Sequence, residues 1–224
     1  MKRLREHALS IAFAVIFLAA LIGQSIAGLL SYNQDQLEHG AQAVSWLDFV
    51  TSSNFVVDVA ENWQSEYLQF FLFIFATIWL VQKGSPESKK PGAEGLGTDA
   101  EQLVHEHARP DSPLWAKVTG WRHTVYSNSL LLVMGTIFVL SWLLQSLAGD
   151  VAFNEEQREH GQAMLNWVQY VASPDFWNRT LQNWQSEFLA VGSMIAFSIY
   201  LRQRGSSESK PVGTPHHETA TETE

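Results

Sequence analysis

The chain is written twice. Residues 24–92 recur as residues 145–213 at a constant offset of 121 without a gap, and 29 of the 69 paired positions are identical. QSIAG at Gln24 answers QSLAG at Gln145. EHG at Glu38 answers EHG at Glu159, ENWQSEYL answers QNWQSEFL, and QKGSPESK answers QRGSSESK. A gapless duplication requires that any element assigned to one copy also be possible in the other. That requirement constrains the fold more tightly than the length of 224 residues does.

Each copy carries apolar helical segments. Ala8 to Leu30 runs 23 residues without a charge and Val125 to Ala148 runs 24, both beyond the roughly 20 that cross a bilayer as a helix. Tyr67 to Val81 and Phe188 to Leu201 are shorter and reach spanning length only when extended outward through NWQSE. The first run follows MKRLREH and imitates a secretory signal. Its end, QSIAG, recurs internally as QSLAG, where no signal peptide stands, so the run is expected to be retained. The sequence therefore predicts an all-α membrane protein. Four transmembrane helices are arranged as two tandem two-span repeats, each with an extracytoplasmic amphipathic helix.

Basic residues set the expected orientation. Lys2, Arg3 and Arg5 precede the first span, Lys83, Lys89 and Lys90 follow the second, Lys117 and Arg122 precede the third, and Arg202, Arg204 and Lys210 follow the fourth. Only Arg158 and Arg179 lie between paired spans. By the positive-inside rule both termini and the central linker are cytoplasmic. With two crossings per copy, the repeats insert in parallel, as about an axis along the membrane normal. Repeat 1 covers 1–92, with spans near 8–31 and 62–82 and an outer helix near 33–52. A linker over 93–122 combines a Gly-, Pro- and charge-rich disordered stretch with a short interfacial helix around Trp115 and Trp121. Repeat 2 covers 123–213, with spans near 125–149 and 183–203 and an outer helix near 154–172; residues 214–224 form a disordered tail.

Two sets of repeated polar residues are candidate sites. In the outer segments Asp35 and Glu156 stand four residues before His39 and His160, so a carboxylate reaches the ring on one helix face. A histidine oriented by a carboxylate is how metal ligands and general bases are held, and two copies would suit zinc. The plainer reading is a surface ion pair, and neither copy contains HExxH or a comparable spacing. The second set is NWQSE. Asn62, Ser65 and Glu66, with Asn183, Ser186 and Glu187, fall at i, i+3 and i+4 and share a helix face. Trp63 and Trp184 point elsewhere, toward the interfacial belt. Gln24 and Gln145, with the serines after them, sit on the neighbouring spans. Polar groups facing lipid are expensive, so all of these should face the bundle interior and pair with one another. Either they clasp the spans together or they line a binding or conduction site. QKGSPESK and QRGSSESK read as helix stops, with Gly84 and Gly205 in left-handed cap positions. HEH at His105–His107 and the tail pair His216 and His217 have no counterparts in the other copy, and metal binding there would be adventitious.

Several classes are excluded. A net charge of −9 argues against nucleic acid, which demands clustered basic residues. The absence of cysteine removes disulfides, thiolate metal sites and cysteine nucleophiles. No phosphate loop, dinucleotide fingerprint, nucleophile elbow or haem-attachment motif is present, so no cofactor is named. The joined motifs QSxAG, EHG, NWxSEF and QRGSxESK resemble a bacterial integral-membrane protein family of unknown function. The resemblance covers both copies; copy two is closer, and copy one departs with Tyr67 where copy two has Phe188. It implies four spans in a bacterial inner membrane and no particular activity.

Three functions follow as expectations. The first is a non-enzymatic membrane protein, structural or partner-binding, whose partners are the lipid bilayer and a further protein. The second is a transporter or channel for a small polar solute or cation through the NWQSE clusters, for which four spans are few and a homo-oligomer would be needed. The third is a metal-dependent membrane enzyme using His39 and His160.

Overall fold

A computed structural model of the chain describes residues 5–219. Lys2 and Arg3, and the tail beyond Thr219, lie outside the described residues. Among those described there are seven α-helices and no strands: α1 (Ala8–Glu38), α2 (Trp46–Val50), α3 (Ser53–Trp79), α4 (Trp121–Ser127), α5 (Ser129–Glu159), α6 (Trp167–Val171) and α7 (Pro174–Tyr200). Two single 3₁₀ turns, His105–His107 and Leu114–Ala116, punctuate the linker.

Among the described residues two helices, not four, are both long and apolar enough to cross a membrane. They are α1 and α5, each 31 residues. At 1.5 Å per residue each extends about 46 Å, well past the thickness of a hydrocarbon core. At 27 residues, α3 and α7 extend about 40 Å, so length is not what they lack. Their polar motif lies inside the helix rather than at its end, and this interrupts the apolar window.

The expected outer helices over 33–52 and 154–172 do not form. Instead α1 and α5 continue seven to ten residues past the predicted span ends and stop at EHG. In copy one the Gly40 amide donates to the Leu37 carbonyl and the Ala41 amide to the Gln36 carbonyl. In copy two Gly161 and Gln162 donate to Arg158 and Gln157. This 5→2 and 6→1 pair is a Schellman stop, which places its C′ residue in left-handed backbone. Gly40 (φ 78°) and Gly161 (φ 66°) occupy it. A second helix then starts only at Trp46 and Trp167. Ser45 accepts from the Asp48 amide and Asn166 from the Gln169 amide, with Asp48 and Gln169 closing reciprocal capping boxes. Apolar spacing across 37–50 concealed both a stop and a start, the expected cost of reading periodicity without caps.

The other termini follow from local chemistry. Ser173 caps α7 from its hydroxyl, with Pro174 at the first helical position, as the sequence predicts. Gly84 and Gly205 do have positive φ. However, α3 and α7 end at Trp79 and Tyr200, so these glycines belong to a separate turn five residues on rather than to the helix caps.

The chain divides into two compact units. The first comprises residues 1–60 and 144–172, the second residues 61–143 and 173–224. In the first, Phe49, Val57, Ala60 and Tyr170 are buried. Phe49 packs on Tyr32 and Phe55, with ring centroids 5.6 and 5.4 Å away, and Tyr170 packs on Phe153 at 5.5 Å. In the second, Trp142 gathers Phe138, Phe176, Trp177 and Trp184 within 5.6–6.2 Å. Copy one has Leu21 and Val56 where copy two has Trp142 and Trp177, so the aromatic cluster is a property of the second copy alone.

The linker and tail expected to be disordered are folded in turns as far as Thr219. The Lys89 ammonium donates to the Gly95 carbonyl. Lys210, only 3% exposed, donates to the Pro215, His216 and Glu218 carbonyls at 3.3, 3.1 and 2.8 Å. Composition alone could not foresee a buried ammonium that gathers the carbonyls of a polar segment around itself. The expected interfacial helix starts later, as α4, with the Trp115 and Trp121 rings edge to face at 5.9 Å and Arg122 above the Trp121 ring.

Candidate functional site

In each copy a hairpin is closed by the same three contacts. The chain reverses at EHG, and the segment after it runs back along the helix it has just left. Asn33 clamps this segment, donating to the Val44 carbonyl at 3.0 Å and accepting from the Val44 amide at 2.8 Å. Asn154 does the same to Leu165, at 2.8 Å for both bonds. Deeper along the helix the Trp46 indole donates to Ser25 Oγ at 3.0 Å and the Trp167 indole to Ser146 Oγ at 3.1 Å. Ser25 lies 13 residues before Glu38, about 20 Å below the helix end. The third contact is steric. A Cβ on Gly28 would lie 2.8 Å from the Phe49 ring, and one on Gly149 2.3 Å from Tyr170 Oη. The QSxAG motif is thus a seat: serine for the indole, glycine for the ring that follows it.

The serines were expected to pair with NWQSE. Ser25 instead donates to Ile22 O at 2.8 Å and accepts the indole, so its hydroxyl is engaged within its own hairpin. Of the glutamines beside them, Gln145 is fully buried and Gln24 half-buried. The shared 21-residue spacing from Ser25 to Trp46 and from Ser146 to Trp167 was the available signal for this pairing.

His39 and His160 lie at the hairpin tips and are exposed. Each Nδ1 is 2.9 Å from a backbone carbonyl four residues earlier, Asp35 O or Glu156 O. The backbone oxygen, rather than the expected carboxylate, makes the hydrogen bond; Asp35 Oδ1 lies 3.5 Å from the ring. The bond to the Asp35 carbonyl, followed by the Asp35 charge, raises the His39 pKa above its ordinary value, and Glu159 of the second copy adds to that field. Each histidine thus bonds twice to the same carbonyl, once through its ring and once through its own backbone amide, at 3.1 Å in both copies. Among the described residues no three His, Cys, Asp or Glu side chains converge to hold a metal ion.

In NWQSE the residues that join the copies are not those singled out from the sequence. Trp184, expected to face away from the other NWQSE residues, donates its indole N–H to Gln64 Oε1 at 2.8 Å. Gln64 is fully buried and donates in turn to Glu61 O at 3.1 Å. Ser65 and Ser186 turn inward on their own helices, donating to Asn62 O and Asn183 O at 2.8 Å each. Asn183 donates to Arg179 O at 3.0 Å. Arg179 pairs with Glu61 at 3.3 Å and with Asp175 at 3.4 Å. Glu66 is exposed and Glu187 half-buried. Asn62, exposed, lies on α3 in the same unit.

The GSxESK segments form one turn twice. Ser88 Oγ accepts from the Gln82 amide at 2.7 Å and Ser85 Oγ from the Glu87 amide at 3.1 Å. Ser209 and Ser206 repeat both bonds, with Gln203 and Glu208, at 2.9 and 3.2 Å. Burial, then the charge and hydrogen bond of Glu208, hold the Glu87 carboxyl above the usual carboxylate range. Glu87 and Glu208 occupy equivalent places in the two copies.

These features define an all-helical chain with two helices capable of spanning a membrane and with repeated polar residues that bond chiefly to the fold itself. The chain belongs to the family described as Domain of unknown function (DUF6766), which it matches over residues 1–221. No curated protein and no solved structure matches it.

Proposed function

We propose that this chain is a non-enzymatic integral protein of a bacterial inner membrane, with a structural or partner-binding role. In this reading α1, α3, α5 and α7 are four spans in two parallel repeats, with both termini cytoplasmic and the EHG hairpins outside. One observation carries it: the repeated serines, asparagines and glycines of QSxAG and its surroundings bond to or seat their own hairpin. That is what a structural clasp requires. Leu47 and Val168 occupy equivalent positions in the hairpins, 64% and 68% exposed, and offer matched apolar contacts to lipid or to a partner protein. The recurrence of Glu66 as Glu187, each inside a long helix and four residues after an asparagine, favours a second reading, a polar-solute or cation route that uses both carboxylates.

Both readings are testable in the cysteine-free chain. Single substitutions His39→Cys and His160→Cys should react with an impermeant thiol reagent applied to intact cells, and Ala100→Cys should not. Labelling at position 100 would overturn the topology. A Glu66→Gln/Glu187→Gln variant should leave the folded protein and the cellular phenotype of the intact gene unchanged. Loss of solute flux in vesicles with the fold preserved would move the assignment to transport.

A further inference from the structure

The linker, which lies outside the duplication, builds a constellation that neither copy contains. The 3₁₀ turn His105–His107 lays the His105 ring against His123 of α4, with centroids 4.3 Å apart. His105 sits in left-handed backbone (φ 55°), a conformation that a non-glycine residue keeps only where surrounding contacts hold it. Asp99 Oδ2 accepts from His105 Nδ1 at 2.9 Å. The proton is thereby placed on Nδ1, and Nε2 keeps its lone pair. The other ring is held at His123 Nε2, 3.2 Å from Ser127 Oγ; when the ring donates to that hydroxyl, the lone pair stands on Nδ1. These two remaining nitrogens, His105 Nε2 and His123 Nδ1, are both buried, and neither has a hydrogen-bond partner among the described residues. The His105 side chain as a whole keeps 26% of its exposure. Buried ring nitrogens without partners are unfavourable, and here they belong to two rings whose centroids are 4.3 Å apart.

We propose that His105 and His123 form a two-histidine site for an imidazole-seeking divalent ion of the zinc or copper class. From outside the coordination sphere Asp99 fixes the His105 tautomer and Ser127 holds the His123 ring. A carboxylate behind a ligating histidine is the usual way of orienting the ring and raising its basicity, and imidazole donors suit these ions. Among the described residues no third His, Asp or Glu converges with them, so the ion keeps open positions. A cavity of about 880 Å³, lined in part by Asp99, Gln102, His123, Ser127 and Asn128, adjoins the site. Water or a small oxygen-donor ligand from that cavity completes the sphere.

The test uses the full-length chain in detergent, stripped with a chelator and titrated with Zn²⁺ against a chromophoric competitor. One equivalent should bind. His105→Gln and His123→Gln should each remove binding at the concentration that saturates the wild type, and Asp99→Asn should weaken it by about 10–100-fold. His39→Gln/His160→Gln should bind as the wild type does, separating this site from the hairpin histidines. Cu²⁺ loaded on the unsubstituted chain should show two imidazole nitrogens by electron spin-echo modulation, a readout independent of whether any variant folds. A wild type that takes up no stoichiometric Zn²⁺, a His105→Gln/His123→Gln protein that binds normally, or fewer than two imidazoles on the copper would each overturn the site.

Discussion

Residue by residue, the repeated motifs are explained by what touches them. Gly149 is the sharpest case, because its missing side chain leaves room for Tyr170 Oη. Gly149→Ala should destabilise the folded chain by about 1–3 kcal/mol, the usual range for overpacking a filled core. Tyr170→Phe in the same chain should recover part of that loss, since it deletes the atom the new methyl meets. Denaturant unfolding of the single and double variants in detergent reads both; purely additive losses would disprove the steric account. The motif itself was legible in the sequence, because QSIAG and QSLAG repeat. The identity of its partner was not, because Phe49 and Tyr170 stand 21 residues further on and reach the glycine only after the chain has reversed.

At the scale of elements, the turns carry more information than the helices. The positions of α1, α3, α5 and α7 were readable from uncharged runs and from Ser173–Pro174, since helix formation and capping depend on near neighbours. The hairpin between them was misread as helix. Apolar residues at helical spacing outweighed Gly40 and Ser45, whose stop and start signals are just as local. The GSxESK turn makes a prediction of its own. Glu87 is held above its ordinary value of 4.5 by burial and by Glu208. Its contribution to stability is therefore fully present below the unfolded carboxyl pKa and is lost as pH rises through the raised folded pKa. Glu87→Gln, neutral throughout, should keep its thermal midpoint as pH climbs from about 4.5 while the wild type declines. Parallel curves across that window would remove Glu87 as the source.

At the scale of the whole molecule, the duplication is kept in its hairpins and broken where the copies meet. Trp184 bonds to Gln64 at 2.8 Å, while the equivalent Trp63 is 40% exposed and Gln185 is exposed. Glu61 pairs with Arg179, yet the residue equivalent to Glu61 is Gln182 and the one equivalent to Arg179 is Asp58. If the Gln64–Trp184 bond ties the two copies together, Gln64→Ala and Trp184→Phe should be coupled. Each single change should cost about 1–3 kcal/mol by leaving a buried polar group unpaired, and the double variant should cost clearly less than the sum. A coupling near zero in unfolding measurements would show that the bond is not a tie. Sequence alone determined the repeat, the apolar helices, the acidic balance and the absence of thiol chemistry, because these reside in composition and in spacings within a few turns. Tertiary structure decided which tryptophan meets which serine, and that Asp99 and His105 of the linker come together with His123 of α4. Each of those contacts joins groups that chain reversal or a turn brings near, and no local periodicity encodes that.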